Sequence, residues 1–252
     1  MKVSIITPVK NGSNHIAKCI ESVIKQDYHD IEHIIIDGES EDSTMGIIKS
    51  YGDKIAYYDS KKDKNMYAAI NSGLSVSTGD VVACLNSDDY YYDHKVISTV
   101  VKNILAGHNA VYGNIVKYDA DKKTYRDVKL PQSSYKSLLL SRHSTFLPQP
   151  TLFMKKELYD DYGPFDDYYY FSSDYDLILK VLRHNEIKHI DSFFTVFRQH
   201  AGSITMSQTV KMIEEKKQII NINRYEDYSL VNRAFHYLKD WIYYKYINAI
   251  AN

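Results

Sequence analysis

The chain has 252 residues, enough for one α/β domain with a full core or for two closely joined halves. Hydrophobic residues make up 44% and charged residues 25%, while 31 bases against 32 acids leave a formal net charge of −1. Such a composition is ordinary for a soluble globular protein, and the balanced charge offers no field to attract DNA or RNA, so nucleic acid is not an expected partner.

The opening apolar segment is too short for a signal peptide. No later apolar run approaches the ~18 residues that span a bilayer. Cys19 and Cys84 stand far apart among apolar neighbours and read as buried thiols of a reducing compartment, which makes the cytoplasm the expected location. Tyrosine is over-represented, with 24 copies. Its flat face and hydroxyl suit sugar rings and interfaces, but half-buried packing explains the excess equally well.

In chain order, Val3–Ile6 reads as a buried strand, and Ile16, Ile20, Val23 and Ile24 recur at helical spacing behind the cap candidates Ser13 and Asn14. Ile34–Ile36 is a second strand ending at Asp37, followed by a short helix with Ile47 and Ile48 behind Ser43. Ile55–Tyr58 is a third strand, Met66 to about Leu74 a helix, and Val81–Leu85 a fourth strand that stops at Asn86-Ser87-Asp88-Asp89. Strands separated by helices of this length imply right-handed crossovers and a mainly parallel sheet covered on both faces. Beyond it, Val111–Tyr118 and Tyr125–Val128 flank the polar turn of a hairpin, and Thr151–Met154 is a short strand. Tyr175–His184 is a helix, Ile187–Phe197 an extended stretch, and two helices follow at about 207–223 and 230–250.

In open α/β sheets ligands bind beyond the carboxyl ends of the strands. Polar residues gather there: Thr7 to Asn11, Asp37 to Ser40, and Asp88 with Asp89. Turns need the same residue types, so no single one of these is decisive; three in one half carry more weight. No Gly-x-Gly-x-x-Gly follows the first strand and no Gly-Lys-Ser/Thr loop exists, which disfavours dinucleotide dehydrogenases and P-loop ATPases. Asp88-Asp89 instead supplies hard oxygen ligands suited to Mg2+ or Mn2+, ions that bridge carboxylates to a diphosphate.

Together these segments resemble glycosyltransferase family 2, whose members have the GT-A fold, a Rossmann-like sheet with helices on both faces. The likeness covers roughly residues 1–205. Val3-Ser4-Ile5-Ile6-Thr7-Pro8-Val9-Lys10-Asn11 matches the first strand and the donor-base loop. Ile34-Ile35-Ile36-Asp37-Gly38-Glu39-Ser40 matches the second-strand motif, whose Asp contacts the nucleobase. Asp63, Tyr67, Ala69, Asn71 and Gly73 resemble the segment before the metal motif, although Asn65 stands where Gly is usual and Ala68 where many members carry Asp. Gly79-Asp80 and Leu85-Asn86-Ser87-Asp88-Asp89 match the metal-binding variant of Asp-x-Asp.

The resemblance implies an inverting enzyme that moves one sugar from a nucleotide-diphosphate donor, UDP by preference, to the hydroxyl of a saccharide or lipid-linked saccharide, in polysaccharide, O-antigen or capsule assembly. It implies donor contacts from Thr7, Pro8, Val9, Asn11, Asp37, Ser40, Asp63, Asn71, Asp88 and Arg198. Asp89 would hold the metal and Asp88 the ribose or a metal-bound water. His200, in Phe197-Arg198-Gln199-His200, would complete the metal site or stand as a surface histidine. Gly163-Pro164-Phe165-Asp166 and Ser173-Asp174-Tyr175-Asp176-Leu177 look like the acceptor side, with Asp174 as general base and Ser173 where an acid is common. A Gln-x-x-Arg-Trp motif and membrane helices, found in the family's processive synthases, are missing from the sequence.

The expected organisation is a catalytic domain over 1–205, donor half about 1–110 and acceptor half about 111–205, with a helical tail over 206–252. In the last helix Phe235, Leu238, Trp241, Ile242, Ile247 and Ile250 fall mostly on one side, flanked by Arg233, Lys239 and Lys245. That face would lie in a membrane interface at the inner side of the plasma membrane, or pack on the same chain or a second copy. Two other function classes remain: a nucleotidyltransferase, which would need a Gly-rich basic loop after the first strand, and a sugar- or nucleotide-binding module without turnover.

Overall fold

A computed structural model describes residues 1–140, 147–200 and 209–227. The first half runs β1 (Val3–Val9), α1 (Ile16–Ile24), β2 (Ile31–Asp37), α2 (Thr44–Ser50), β3 (Tyr57–Ser60), α3 (Met66–Val76), β4 (Val81–Cys84), β5 (Tyr90–Tyr91) and α4 (Val96–Leu105). The second half runs β6 (Ala110–Asp119), β7 (Thr124–Val128), α5 (Tyr135–Leu140), β8 (Leu152–Lys155), α6 (Lys156–Tyr162), α7 (Ser173–His184), β9 (Lys188–Gln199) and α8 (Thr209–Asp227). The helix expected over 230–250 lies outside the described residues.

The described strands form one sheet in the order β3-β2-β1-β4-β8-β6-β9-β5, with β7 hydrogen-bonded to β6. The strands from β3 to β4 are all parallel, as the βα alternation requires. β8 then enters antiparallel to both β4 and β6, while β9 lies parallel to β6 with a bulge at Gly113–Ile115. The sheet therefore passes unbroken from the parallel half into a mixed half.

Alternation along the strands sorts the core into two layers. Ile6, Ile34, Val82 and Cys84 pack beneath α3 and α7, through Ile70, Leu74, Leu177, Ile178 and Val181. Val3, Ile5, Val81 and Ala83 face the other way, onto Cys19 and Val23 of α1 and Val96, Ile97, Val100, Val101 and Ile104 of α4. Those five α4 aliphatics stabilise by about 1.5–3 kcal/mol each on full burial. Gly73 lets α3 approach β1, because a Cβ there would lie 2.5 Å from Ile6 Cγ2. Both cysteines are free and buried, and burial pushes the Cys84 thiol up to about 12.

Local differences from the expected elements have local causes. β1 continues to Val9, paired opposite Asp37. β3 starts at Tyr57 because Ile55 closes the 3-10 turn Gly52–Lys54 and packs with Ile16, Ile20, Ile35 and Ile48. His15, not Ser13 or Asn14, stands at the N-cap position of α1 and makes no side-chain capping bond, while Ser13 N–H donates to Asp42 Oδ2 at 3.1 Å. The α4 helix shows apolar spacing that the strand-by-strand reading passed over.

At the amino ends of the parallel strands, Glu32 is 7% exposed and saturated. It accepts from Ser4 Oγ (2.5 Å), Thr78 N (2.6 Å), Thr78 Oγ1 (2.7 Å) and Gly79 N (3.2 Å), and pairs with Lys2 Nζ at 2.5 Å. Burial alone would raise its pKa; the donors from Lys2, Ser4 and Thr78 overcome this and hold it at about 2.

Candidate active site

The opposite, carboxyl ends carry the expected site residues. Where β1 stops, Asn11 has φ 51, a left-handed turn that Asn tolerates well. Its N–H donates to Ser40 Oγ (2.7 Å) and its Oδ1 accepts from Glu41 N (2.9 Å), so the loops after β1 and β2 are tied together. Asp37 anchors this tie: fully buried, it accepts from Ser40 N (3.0 Å), from Ser40 Oγ and from Ser60 Oγ (2.6 Å). Its carboxylate therefore shapes the loop rather than standing open to solvent.

Other donor-side expectations fall differently. Thr7 is turned into the core, with Oγ1 2.9 Å from His33 Nε2, and Pro8 and Val9 are buried beside it. Asn71 bonds both ways with Phe165, Nδ2 to its O at 2.8 Å and Oδ1 from its N at 3.0 Å, which pins the Phe165 loop to α3. Asn65, standing where Gly is usual, caps α3 through Ala68 N (2.9 Å) and holds Asp167 O (2.9 Å). Asp63 keeps a buried Oδ2 that no protein group meets. Burial raises its pKa, with Asp59 and Asp37 adding to the effect against Lys61.

Beyond β4, Asp88 and Asp89 part company. Asp89 is 1% exposed, and its Oδ1 accepts Arg198 N at 2.9 Å. Burial, and then the charge of Asp88, push its pKa well above the usual carboxylate range. Asp88 is half-buried, its Oδ2 lies 3.1 Å from His200 Nε2, and its carbonyl accepts Arg198 Nε at 3.1 Å. The sequence puts the metal on Asp89 and the ribose on Asp88; in the structure the carboxylate beside His200 is Asp88, while Asp89 Oδ1 accepts the Arg198 N–H and its Oδ2 lies 3.4 Å from Asn86 Nδ2. Next to them Asn86 has a buried Oδ1 without a protein partner, and the His15 ring lies tilted, 5.0 Å from that of His200, with a buried, unpartnered Nδ1. Burial, and then Arg198 and His200, lower the His15 pKa. The Arg198 guanidinium lies over Tyr118 (5.3 Å) and Tyr90 (5.9 Å).

Mn2+ or Mg2+ fits this corner. Such ions take one or two protein carboxylates and fill the remaining positions with water and phosphate oxygens. Asp88 Oδ2 and His200 Nε2, 3.1 Å apart, offer that kind of partial donor set, and no cluster of three or more His, Cys, Asp or Glu that could hold a metal ion stands among the described residues.

Across the site, Asp174 opens α7 and accepts from Tyr67 Oη at 2.9 Å and from Tyr175 N at 2.9 Å. Tyr67 is buried on the first turn of α3, four residues after Asp63, so one helix end serves both sides. Burial, and then Asp174, raise the tyrosine's pKa far above its usual value, which keeps it a hydrogen-bond donor. Asp176 points elsewhere and pairs with Lys180 Nζ at 2.6 Å. The sequence reading gave no role to Asn86, His15 or Tyr67; the last was legible as an aromatic one helical turn past an acidic residue.

A parallel half with acidic strand ends, joined through one sheet to a mixed half that brings in an arginine, a histidine and a further carboxylate, is the GT-A glycosyltransferase architecture. The chain belongs to glycosyl transferase family 2, whose profile matches residues 4–163. An uncharacterised glycosyltransferase of Rickettsia typhi is 31% identical over 84% of this chain and 68% of its own length. The Escherichia coli enzyme WfgD, a UDP-Glc:α-D-GlcNAc-diphosphoundecaprenol β-1,3-glucosyltransferase, is 28% identical over 86% of this chain and 83% of its own. Among solved structures, Staphylococcus aureus TarS (residues 1–349) with UDP-GlcNAc superposes with a TM-score of 0.67 at 19% identity, covering 92% of this chain and 74% of that one. No helix among the described residues is long and apolar enough to cross a membrane.

Proposed function

We propose that the chain transfers a single sugar, with inversion, from a nucleotide-diphosphate donor to the hydroxyl of a saccharide acceptor, in the assembly of a polysaccharide, O-antigen or capsule. The observation that carries this reading is the half-buried Asp88 beside His200, just beyond the carboxyl end of a parallel strand. Asp88 and His200 would hold Mn2+ or Mg2+, which when bound neutralises charge developing on the departing diphosphate. Arg198 adds a fixed positive charge on that side. The Asn11–Ser40 loop and Asp63 would cradle the nucleoside, with Asp37 holding the loop in shape. Asp174, oriented by Tyr67, would take the proton of the attacking hydroxyl as the new bond forms; one base and one displacement invert the anomeric carbon.

UDP is the preferred donor carrier, in line with WfgD and the TarS complex, and a lipid-linked acceptor is suggested by the acceptor in the WfgD name. The predicted tail helix over 230–250 would bring such an acceptor within reach if it lies in a membrane interface. Thermal-shift titration with UDP, GDP and dTDP, with and without Mn2+, tests the donor side, because a ligand that binds the native state raises its stability. A rise with UDP that needs Mn2+, followed by transfer from a UDP-hexose to a para-nitrophenyl glycoside, is expected. Stabilisation without turnover on any nucleotide sugar would leave a binding module, and no stabilisation by any of the three would sink the reading.

A further inference from the structure

The acceptor-side loop is held from two directions. From α3, Lys64 Nζ pairs with Asp167 Oδ1 (3.0 Å), Asn65 holds Asp167 O, and Asn71 holds Phe165. From α8, in a part of the chain that none of the recognised motifs reaches, Glu215 accepts two successive backbone amides on its two oxygens: Tyr170 N on Oε1 (2.9 Å) and Phe171 N on Oε2 (2.8 Å). Ser172 Oγ donates to Met212 O (3.2 Å) one helical turn earlier. Two N–H groups aimed at one carboxylate form a charge-assisted bidentate clamp, stronger and more directional than neutral contacts.

The clamped stretch ends two residues before Asp174 and carries aromatic rings that packing does not use up. Tyr168 is 71% exposed and Tyr170 45%, against 7% for Tyr169 between them. Exposed tyrosine rings four and six residues before Asp174 in the chain offer flat faces of the kind that suit the apolar face of a sugar. Lys216, the next residue on α8, lies over Tyr175 at 5.4 Å and interacts with the charge of Asp174.

We propose that Glu215 is a positioning residue for the acceptor: by fixing the Tyr170 and Phe171 amides it sets the Tyr168–Tyr170 rim at the height from which a saccharide hydroxyl reaches Asp174. The inference rests on the transferase reading with Asp174 as base. Glu215 touches no reacting atom and acts through the loop.

Glu215→Gln replaces one acceptor oxygen with an N–H donor and so breaks half of the clamp. Glu215→Asp keeps both oxygens but withdraws them by about 1.5 Å. With the para-nitrophenyl glycoside that the wild-type chain uses fastest, the Gln variant is expected to raise acceptor KM about tenfold, as the loss of a hydrogen bond to a charged group does. The Asp variant should fall between, and the affinity for UDP in Mn2+ should stay unchanged in both. Amide hydrogen exchange at Tyr170 and Phe171 should quicken in the same order. Unchanged exchange at those two amides overturns the clamp whatever the kinetics show. So does an unchanged acceptor KM, or a parallel loss of UDP affinity that marks general disruption. If the Gln variant does not fold, the Asp variant carries the same comparison. Asp174→Asn in parallel separates the two readings: full turnover there removes the base assignment, while the Glu215 effect on acceptor KM stands or falls by itself.

Discussion

At the two ends of the parallel strands some carboxylates are treated in opposite ways, although Asp37, at the carboxyl end of β2, is bonded by the protein on both oxygens. At the amino ends Glu32 has a donor for nearly every lone pair and a pKa held at about 2. At the carboxyl ends Asp63 keeps an oxygen with no protein partner, Asn86 does the same, and Asp89 is forced toward the protonated form by burial and by Asp88. A buried polar group costs free energy unless it is bonded. The first arrangement therefore locks a fold, and the second stays incomplete until something from outside supplies the missing partner. Orphan atoms alone do not mark the difference, since His33 Nδ1 and Tyr91 Oη are also unpartnered in the core. What distinguishes the carboxyl ends is the coincidence of orphans with like charge.

The sharpest test of the functional end is Asp174→Asn. Asn keeps the reach of Asp but cannot accept the proton, so turnover should drop by ~10²–10⁴ with donor affinity nearly unchanged. Asp176→Asn is its control: it loses the Lys180 partner on another face of α7, so its melting temperature should fall while turnover persists. The reverse pattern would put the base on the wrong carboxylate.

Next in size is the pair at β4. Asp88→Ala should cost UDP affinity tenfold or more in Mn2+ and little in chelator, and His200→Ala should follow it more weakly. Asp89→Ala should instead lower stability, because it frees the Arg198 amide that carries β9. Calorimetric titration of both variants decides; a larger metal-dependent loss from Asp89→Ala at full stability would restore the metal to Asp89.

At the other end, Glu32→Gln should lower stability by about 1–3 kcal/mol, the cost of leaving buried donors unmet, without changing UDP affinity. A separate test is the pH dependence. The Glu32 pKa is depressed from 4.5 to about 2, so its stabilisation is complete above about pH 4.5 and fades toward pH 2. Burial depresses His33 from 6.5 to about 3, so the unfolded chain takes up that proton first and stability falls between those two values. Each proton contributes a slope of up to about 1.4 kcal/mol per pH unit. Urea titrations across pH 2–7 should lose the lower step in Glu32→Gln and the upper step in His33→Asn; identical profiles would mean that neither group is held as described.

Much of the parallel half was legible because each strand is a short apolar run ending in a polar cluster, as at Ile36-Asp37 and Leu85-Asn86. The division of labour inside those clusters was not. Asp37, Asn71 and Asp89 look like ligand residues in a linear motif, yet in three dimensions each is bonded to the protein's own loops or backbone. Sequence spacing carries residue type but not which lone pairs the fold already uses. Glu215 was invisible for another reason: it meets residues 44 and 45 positions away in the chain, on a helix whose own pattern is unremarkable.

The bond from Arg198 N to Asp89 joins positions 109 residues apart. Closing so long a loop is slow compared with forming the local βα units before it. The strand-end carboxylates should thus exist in a folded parallel half well before β9 delivers Arg198 and His200. During synthesis a chain in that state would have the strand-end carboxylates but neither Arg198 nor His200 beside them. The corner that Arg198 and His200 share with Asp88 is thus completed by the long-range closure of the fold and not by the local units that precede it.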